Sequence, residues 1–201
     1  MLYFFCSVGL AQTDINVLLQ EISEKHKDMQ SLEADFIQIT KTEALPEPIE
    51  QSGHLYAMRP KLIRWDFQTP MVQSYYTDGK SITVWNEMSN QVLISNNMGE
   101  ANEAFDVLTD FSNISKNYNV KIKSEKPEAY VLSVIPKPEQ PFRKLEITMT
   151  KAELWITNFV IESEDTGTVE LQFSNIKRNS VEQKVFVFTP PEGAEVIRAE
   201  E

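Results

Sequence analysis

Tyr56-Ala-Met-Arg-Pro-Lys-Leu-Ile-Arg-Trp65-Asp-Phe-Gln-Thr-Pro70 sets Ile63, Trp65 and Phe67 on one face of a period-2 element, with Leu62, Arg64, Asp66 and Gln68 on the other. That is the alternation of a half-buried antiparallel strand. Pro60 and Pro70 fence it at both ends, because a proline cannot donate to a sheet ladder. Three large apolar side chains on one strand face need either a core or a greasy ligand to cover them.

The same period continues on both sides. Leu32, Ala34, Phe36 and Gln38 share a face, and the Pro-rich loop Glu43-Ala-Leu-Pro-Glu-Pro48 ends that run. Further strands are expected near 52–58, 61–68, 72–77, 81–86 and 91–95, with Asp78-Gly79 as a hairpin turn. After Asn117 they resume near 118–124, 129–135, 143–150, 154–163, 167–176 and 184–188. Short connections between neighbouring strands mean an antiparallel meander, since parallel pairing needs a crossover of a dozen or more residues. About eleven strands exceed what a flat open sheet carries without curling.

Two segments switch to helical period. Thr13 or Asp14 can cap a helix whose apolar stripe is Ile15, Leu18, Leu19, Ile22 and Met29, with His26 on the same stripe. A second, near 98–111, carries Met98, Ala101, Phe105, Leu108 and Phe111 along one side. The expected fold is mainly β with a few helices: an incomplete antiparallel β-barrel under an α-helical lid, enclosing a hydrophobic cavity. Phe36, Tyr56, Ile63, Trp65, Phe67 and Trp85 are its expected lining from the sheet, and Met98, Phe105 and Leu108 from the lid. Met and aromatic side chains suit variable acyl chains, because they repack or present flat apolar area.

The composition removes several classes of function. A length of 201 residues and a net charge of -11 fit a single domain over 12–201 and disfavour a nucleic-acid binder, whose affinity rests on clustered Lys and Arg. Residues 1–11 are apolar and too short to span a bilayer; Gly9 and Ala11 offer small residues before Gln12, as at the end of a truncated signal peptide. Cys6, the single cysteine, falls inside that segment, so disulfides and thiol chemistry are not expected of the mature chain. His26 and His54 lack the partners of a zinc site, and neither a phosphate loop nor a Gly-x-Ser-x-Gly elbow occurs. The reading is a binding protein without cofactor or metal, not an enzyme. Arg59 stands out, because it lies amid apolar neighbours where its guanidinium needs partners; carbonyls of a covering helix would supply them and hold a lid shut.

The order of Phe36-Ile-Gln38, Gly53-His-Leu-Tyr56, Arg59-Pro60, Trp65, Pro70, Asp78-Gly-Lys80 and Phe188-Thr-Pro-Pro-Glu-Gly193 resembles the periplasmic lipoprotein carrier family, LolA, across nearly the whole mature chain. The resemblance implies an incomplete barrel with a helical lid, locked by the arginine that corresponds to Arg59, and a pocket tryptophan at Trp65. It also implies a monomeric periplasmic carrier. Acylated lipoproteins would be its cargo, an inner-membrane ABC-transporter complex its donor and an outer-membrane protein its acceptor. A lipid- or lipoprotein-sensing module on the same fold, and an acceptor anchored in the outer membrane, are the alternative readings.

Overall fold

The computed structural model describes residues 13–96, 114–137, 142–163 and 167–199. Helix α1 (Ile15–Lys25) is followed by strands β1 (Ser31–Lys41), β2 (Ile49–Met58), β3 (Leu62–Thr69), β4 (Gln73–Thr77), β5 (Ile82–Asn86) and β6 (Gln91–Ser95). A short helix α2 (Ile114–Asn117) then leads to β7 (Tyr118–Glu125), β8 (Ala129–Pro136), β9 (Phe142–Thr150), β10 (Ile156–Ser163) and β11 (Gly167–Arg178), with β12 (Glu195–Arg198) last. They form one 12-stranded open sheet in the order β12-β6-β5-β4-β3-β2-β1-β11-β10-β9-β8-β7. The sheet is thus two antiparallel meanders, β1 to β6 and β7 to β11, joined where β1 pairs with β11.

The alternation read around Trp65 is realised. Ile63, Trp65 and Phe67 are buried, and opposite them on β2 stand Ala57, Leu55 and Gly53. Gly53 is required there, since an added Cβ would lie 1.8 Å from the Asp66 carbonyl oxygen and 3.0 Å from the Phe36 ring. Pro60 and Pro70, both preceded by cis peptide bonds, bound β3 as expected.

The sheet curls strongly. β3 and β9 are separated by four strands, roughly 24 Å on a flat sheet at normal strand spacing, yet Ile63 and Met149 face the same hollow. Curling brings the apolar inner faces of both meanders into one core that includes Phe36, Trp65, Leu132, Leu145, Ile147 and Phe159. Leu18 and Ile22 of α1 are buried in it, which is why the helix lies on the inner, concave side. Asp14 is the N-cap: its Oδ1 accepts from the backbone N–H of Asn16 at 2.7 Å.

Two expectations are corrected. Residues 184–188 are not a strand; Gln183–Phe186 form a single 3-10 turn and the chain then crosses the outer, convex face of the sheet. Arg64 Nη1 donates to the Val185 carbonyl at 3.2 Å, and Phe188 packs 5.0 Å from the Tyr76 ring, so this segment is held over the sheet rather than beside it. The last strand, β12, comes later and pairs with β6 in parallel, so the sheet is not wholly antiparallel. The expected helix near 98–111 lies outside the described residues.

Candidate functional site

A cavity of about 290 Å³ lies between α1 and the concave face. Its walls come from Leu32 and Ala34 on β1, Leu55 and Ala57 on β2, Ile63 on β3, Met149 on β9 and Phe173 on β11. Ile22 covers it from α1, and Leu154 and Trp155 from the β9–β10 loop. The hollow exists because β1 and β2 place small residues, Ala34 and Ala57, at inward positions where their neighbours carry large ones.

One position further along the same strands the space is filled. The Phe36 ring meets Trp65 at 5.1 Å and Phe67 at 5.0 Å, both edge-on, and Trp65 and Phe67 stack at 6.3 Å. Edge-to-face and offset contacts of this kind are the favoured aromatic geometries. These three rings pack the core beyond Ala34 and Ile63 and do not line the cavity. At the other end the polar lining residues Ser23, Lys27 and Arg59 mark the mouth.

Of the residues expected to share this interior, Ile63 lines the cavity, while Phe36, Trp65 and Phe67 are buried in the core and do not line it. Tyr56 and Trp85 are on the opposite, convex face. The register pairs Tyr56 with Arg64 and Trp85 with Ser74, both out of phase with the inward Trp65. Tyr56 there flanks the Arg64 guanidinium at 5.6 Å, and Trp85 lies 6.2 Å from Phe188 beneath the C-terminal crossing. Met98, Phe105 and Leu108 fall outside the described residues. The lining residues that large-hydrophobe counting overlooks are Ala34, Leu55, Ala57, Met149 and Phe173; the period-2 small residues were the readable signal.

Arg59 is half-buried at the mouth, at the end of β2. Its backbone N–H donates to the Gln30 carbonyl at 2.8 Å, and its Nη1 donates to the Lys27 carbonyl at 3.4 Å, just beyond α1. The guanidinium thus reaches a carbonyl of the segment that covers the cavity. Beside it, His26 Nε2 donates to the Leu154 carbonyl at 3.2 Å and the ring packs 4.8 Å from Trp155. Burial pushes the His26 imidazole below its ordinary pKa, the hydrogen bond to Leu154 works against that, and Lys25, Arg178 and Arg59 add to it.

His54 sits on the convex face, with Nδ1 2.7 Å from Asp35 Oδ1. Asn175 bonds the other oxygen of Asp35, and these two contacts hold the Asp35 carboxyl below its usual pKa. Among the described residues no group of three or more His, Cys, Asp or Glu is placed to hold a metal ion. No helix among them is long and apolar enough to cross a membrane.

The chain is 27% identical over 184 residues to an outer-membrane lipoprotein carrier protein of Pseudomonas putida (strain GB-1), covering 90% of this chain and 87% of that one. It is 28% identical over 178 residues to the carrier protein of the same name from Helicobacter hepaticus, covering 85% of each. Among solved structures, an uncharacterized conserved protein from Thermus thermophilus superposes with a TM-score of 0.58 at 18% identity, over 90% of this chain and 98% of that one. That likeness speaks to the fold. The profile of the family described as outer membrane lipoprotein carrier protein LolA matches residues 27–189, a span that includes β1 to β11, Arg59 and most of the cavity lining, and the chain belongs to that family.

Proposed function

We propose that the protein is a periplasmic carrier that takes up the acyl chains of lipoproteins released from the inner membrane and delivers them to the outer membrane. It works as a binding chaperone, not as an enzyme. The observation that carries the reading is the apolar cavity beneath α1, with Arg59 bonded to the Lys27 carbonyl beside it, in a chain of the lipoprotein carrier family.

The physics of the cargo favours such a site. Each CH₂ kept out of water is worth roughly 0.8 kcal/mol, so acyl chains cannot cross an aqueous compartment unshielded. A volume of about 290 Å³ is at the lower end for small-molecule pockets, so seating several chains requires the covering segment to move outward. Arg59, bonded to the Lys27 carbonyl in the closed form, gives that movement two alternative states. Cargo comes from an inner-membrane ABC-transporter donor complex and passes to an outer-membrane acceptor; the carrier itself needs no nucleotide or metal.

The test is to incubate the purified protein with spheroplasts bearing a labelled lipoprotein, then to add outer membranes. A soluble one-to-one complex that transfers its label supports the reading. Release of no lipoprotein, with binding of free lipid only, replaces it with a lipid carrier or sensor.

A further inference from the structure

At the mouth of the cavity, the C-terminal turn of α1 is fastened to the β9–β10 loop by side chains that the carrier reading leaves unassigned. Lys25 Nζ donates to the Ala152 carbonyl and pairs with Glu153 at 3.4 Å. His26 donates from Nε2 to the Leu154 carbonyl and packs on Trp155, and all three of these residues line the cavity. His26 is only 8% exposed.

The bond to Leu154 fixes the proton of a neutral imidazole on Nε2, because a carbonyl can only accept. Nδ1 is then a bare lone pair, and it is buried with no hydrogen-bond partner among the described residues. A neutral ring tolerates this. An imidazolium would present an N–H donor with nothing there to receive it, within the repulsive field of Lys25 of α1, Arg178 of β11 and Arg59 at the end of β2. The one carboxylate the loop places here, Glu153, is already paired with Lys25, and Lys27 and Asp28 follow directly along the chain.

We propose that the His26–Leu154/Trp155 contact is a gate on the cavity and that proton uptake by His26 opens it. The protonated ring gains water and loses three facing cations by swinging out. That withdraws Trp155 and Leu154 from α1 and unroofs the hollow beside the Arg59 contact. The sign follows from linkage: the closed state binds the proton less well than the open one, so closure is complete above the ordinary histidine range and weakens as pH falls below it. The limit for a single proton is about tenfold per pH unit. The proposal rests on the cavity being the ligand site.

Two readouts keep the gate and the ligand separate. The first is Trp155 emission and its acrylamide quenching between pH 8 and pH 5, assigned by their loss in Trp155→Phe. The second is the release rate of N-phenyl-1-naphthylamine, a neutral apolar probe, by stopped flow. Expected in the wild type is a single titration that exposes Trp155, with release accelerating roughly tenfold over the same interval. His26→Gln, which keeps an N–H for Leu154 and cannot charge, is expected to be flat in both; His26→Asn serves if the glutamine variant fails to fold. Equal pH responses in wild type and variant, or a titration of Trp155 without any change in release, overturn the gate. A probe that never binds overturns the ligand reading instead, while the Trp155 titration still decides the gate.

Discussion

Arg59 and Lys27 meet across the cavity mouth, the guanidinium of one donating to the main-chain carbonyl of the other at 3.4 Å. The bond joins the end of β2 to the segment that leaves α1, and so spans the line along which the cavity must part to admit anything larger than its present volume. On the proposed carrier reading it belongs to the closed form. Arg59→Leu is therefore expected to favour the filled form: bound lipoprotein or apolar probe should dissociate about fivefold more slowly, from the loss of roughly 1 kcal/mol of closed-state stabilisation. Single-turnover transfer to outer membranes measures this, and unchanged transfer would remove Arg59 from the mechanism.

Ala57 tests the cavity itself. It faces the hollow from β2 with Leu32 opposite it on β1, and Ala57→Leu would put a branched side chain into space a ligand needs. Affinity for an apolar probe should fall by at least about tenfold, while the urea midpoint stays within the equivalent of roughly 1.5 kcal/mol, because the added group enters a void and not a packed core. Retained affinity would show that ligand sits elsewhere.

Gly53 tests the ring cluster. A methyl group there collides with the Asp66 backbone and crowds Phe36, and neither a backbone carbonyl nor a ring held by two others can withdraw cheaply. Gly53→Ala should destabilise by about 3 kcal/mol, at the upper end for overpacking, measured by chemical denaturation.

Arg64 tests the convex face. Its guanidinium sits between the Tyr56 and Tyr76 rings at 5.6 and 5.2 Å, pairs with Asp66 at 2.9 Å and holds the Val185 carbonyl. Arg64→Met keeps the aliphatic packing and removes these contacts. Limited proteolysis within 183–198 should accelerate several-fold, with a stability loss of about 1 to 2 kcal/mol, while probe affinity stays within twofold because the cavity is on the other side of the sheet.

Acid should weaken the fold through the same face. Asp35 has its carboxyl pKa lowered by the hydrogen bonds from Asn175 and His54. A carboxyl whose folded pKa lies below its unfolded value stabilises fully above about pH 4, and that contribution is lost as pH falls through the folded pKa. Asp35 is well exposed, so screening keeps the effect below about 1 kcal/mol. Urea midpoints of wild type and Asp35→Asn should converge between pH 5 and pH 3.

Most of the strands were legible because Trp65 and its neighbours alternate cleanly, and the curl was legible from the number of strands. The inner face was legible within a strand but not between strands: Tyr56 reads as one more aromatic near Trp65, and only the β2–β3 register, which sets it opposite Arg64, sends it outward. Trp85 failed for the same reason. Counting large side chains also found the packed core in place of the hollow, since a cavity is announced by what is small, and Ala34 and Ala57 are the residues that make room. The C-terminal crossing was hidden because Val185 to Phe188 carries a strand-like pattern whose apolar members cover the sheet and do not join it.

The ring cluster of Phe36, Trp65 and Phe67 fills the interior beyond Ala34 and Ile63, so the hollow does not run on through the core past those residues. On the proposed carrier reading, a lipid anchor would enter tail first and withdraw along the path it came by, so its polar end, and whatever polypeptide is attached to it, would stay in water from uptake to delivery. Such a hollow would take no measure of that polypeptide. Passengers of any size, fold or charge would be equivalent to it, provided their anchors are alike, and discrimination among them would have to be exercised by whichever membrane machinery presents the tail.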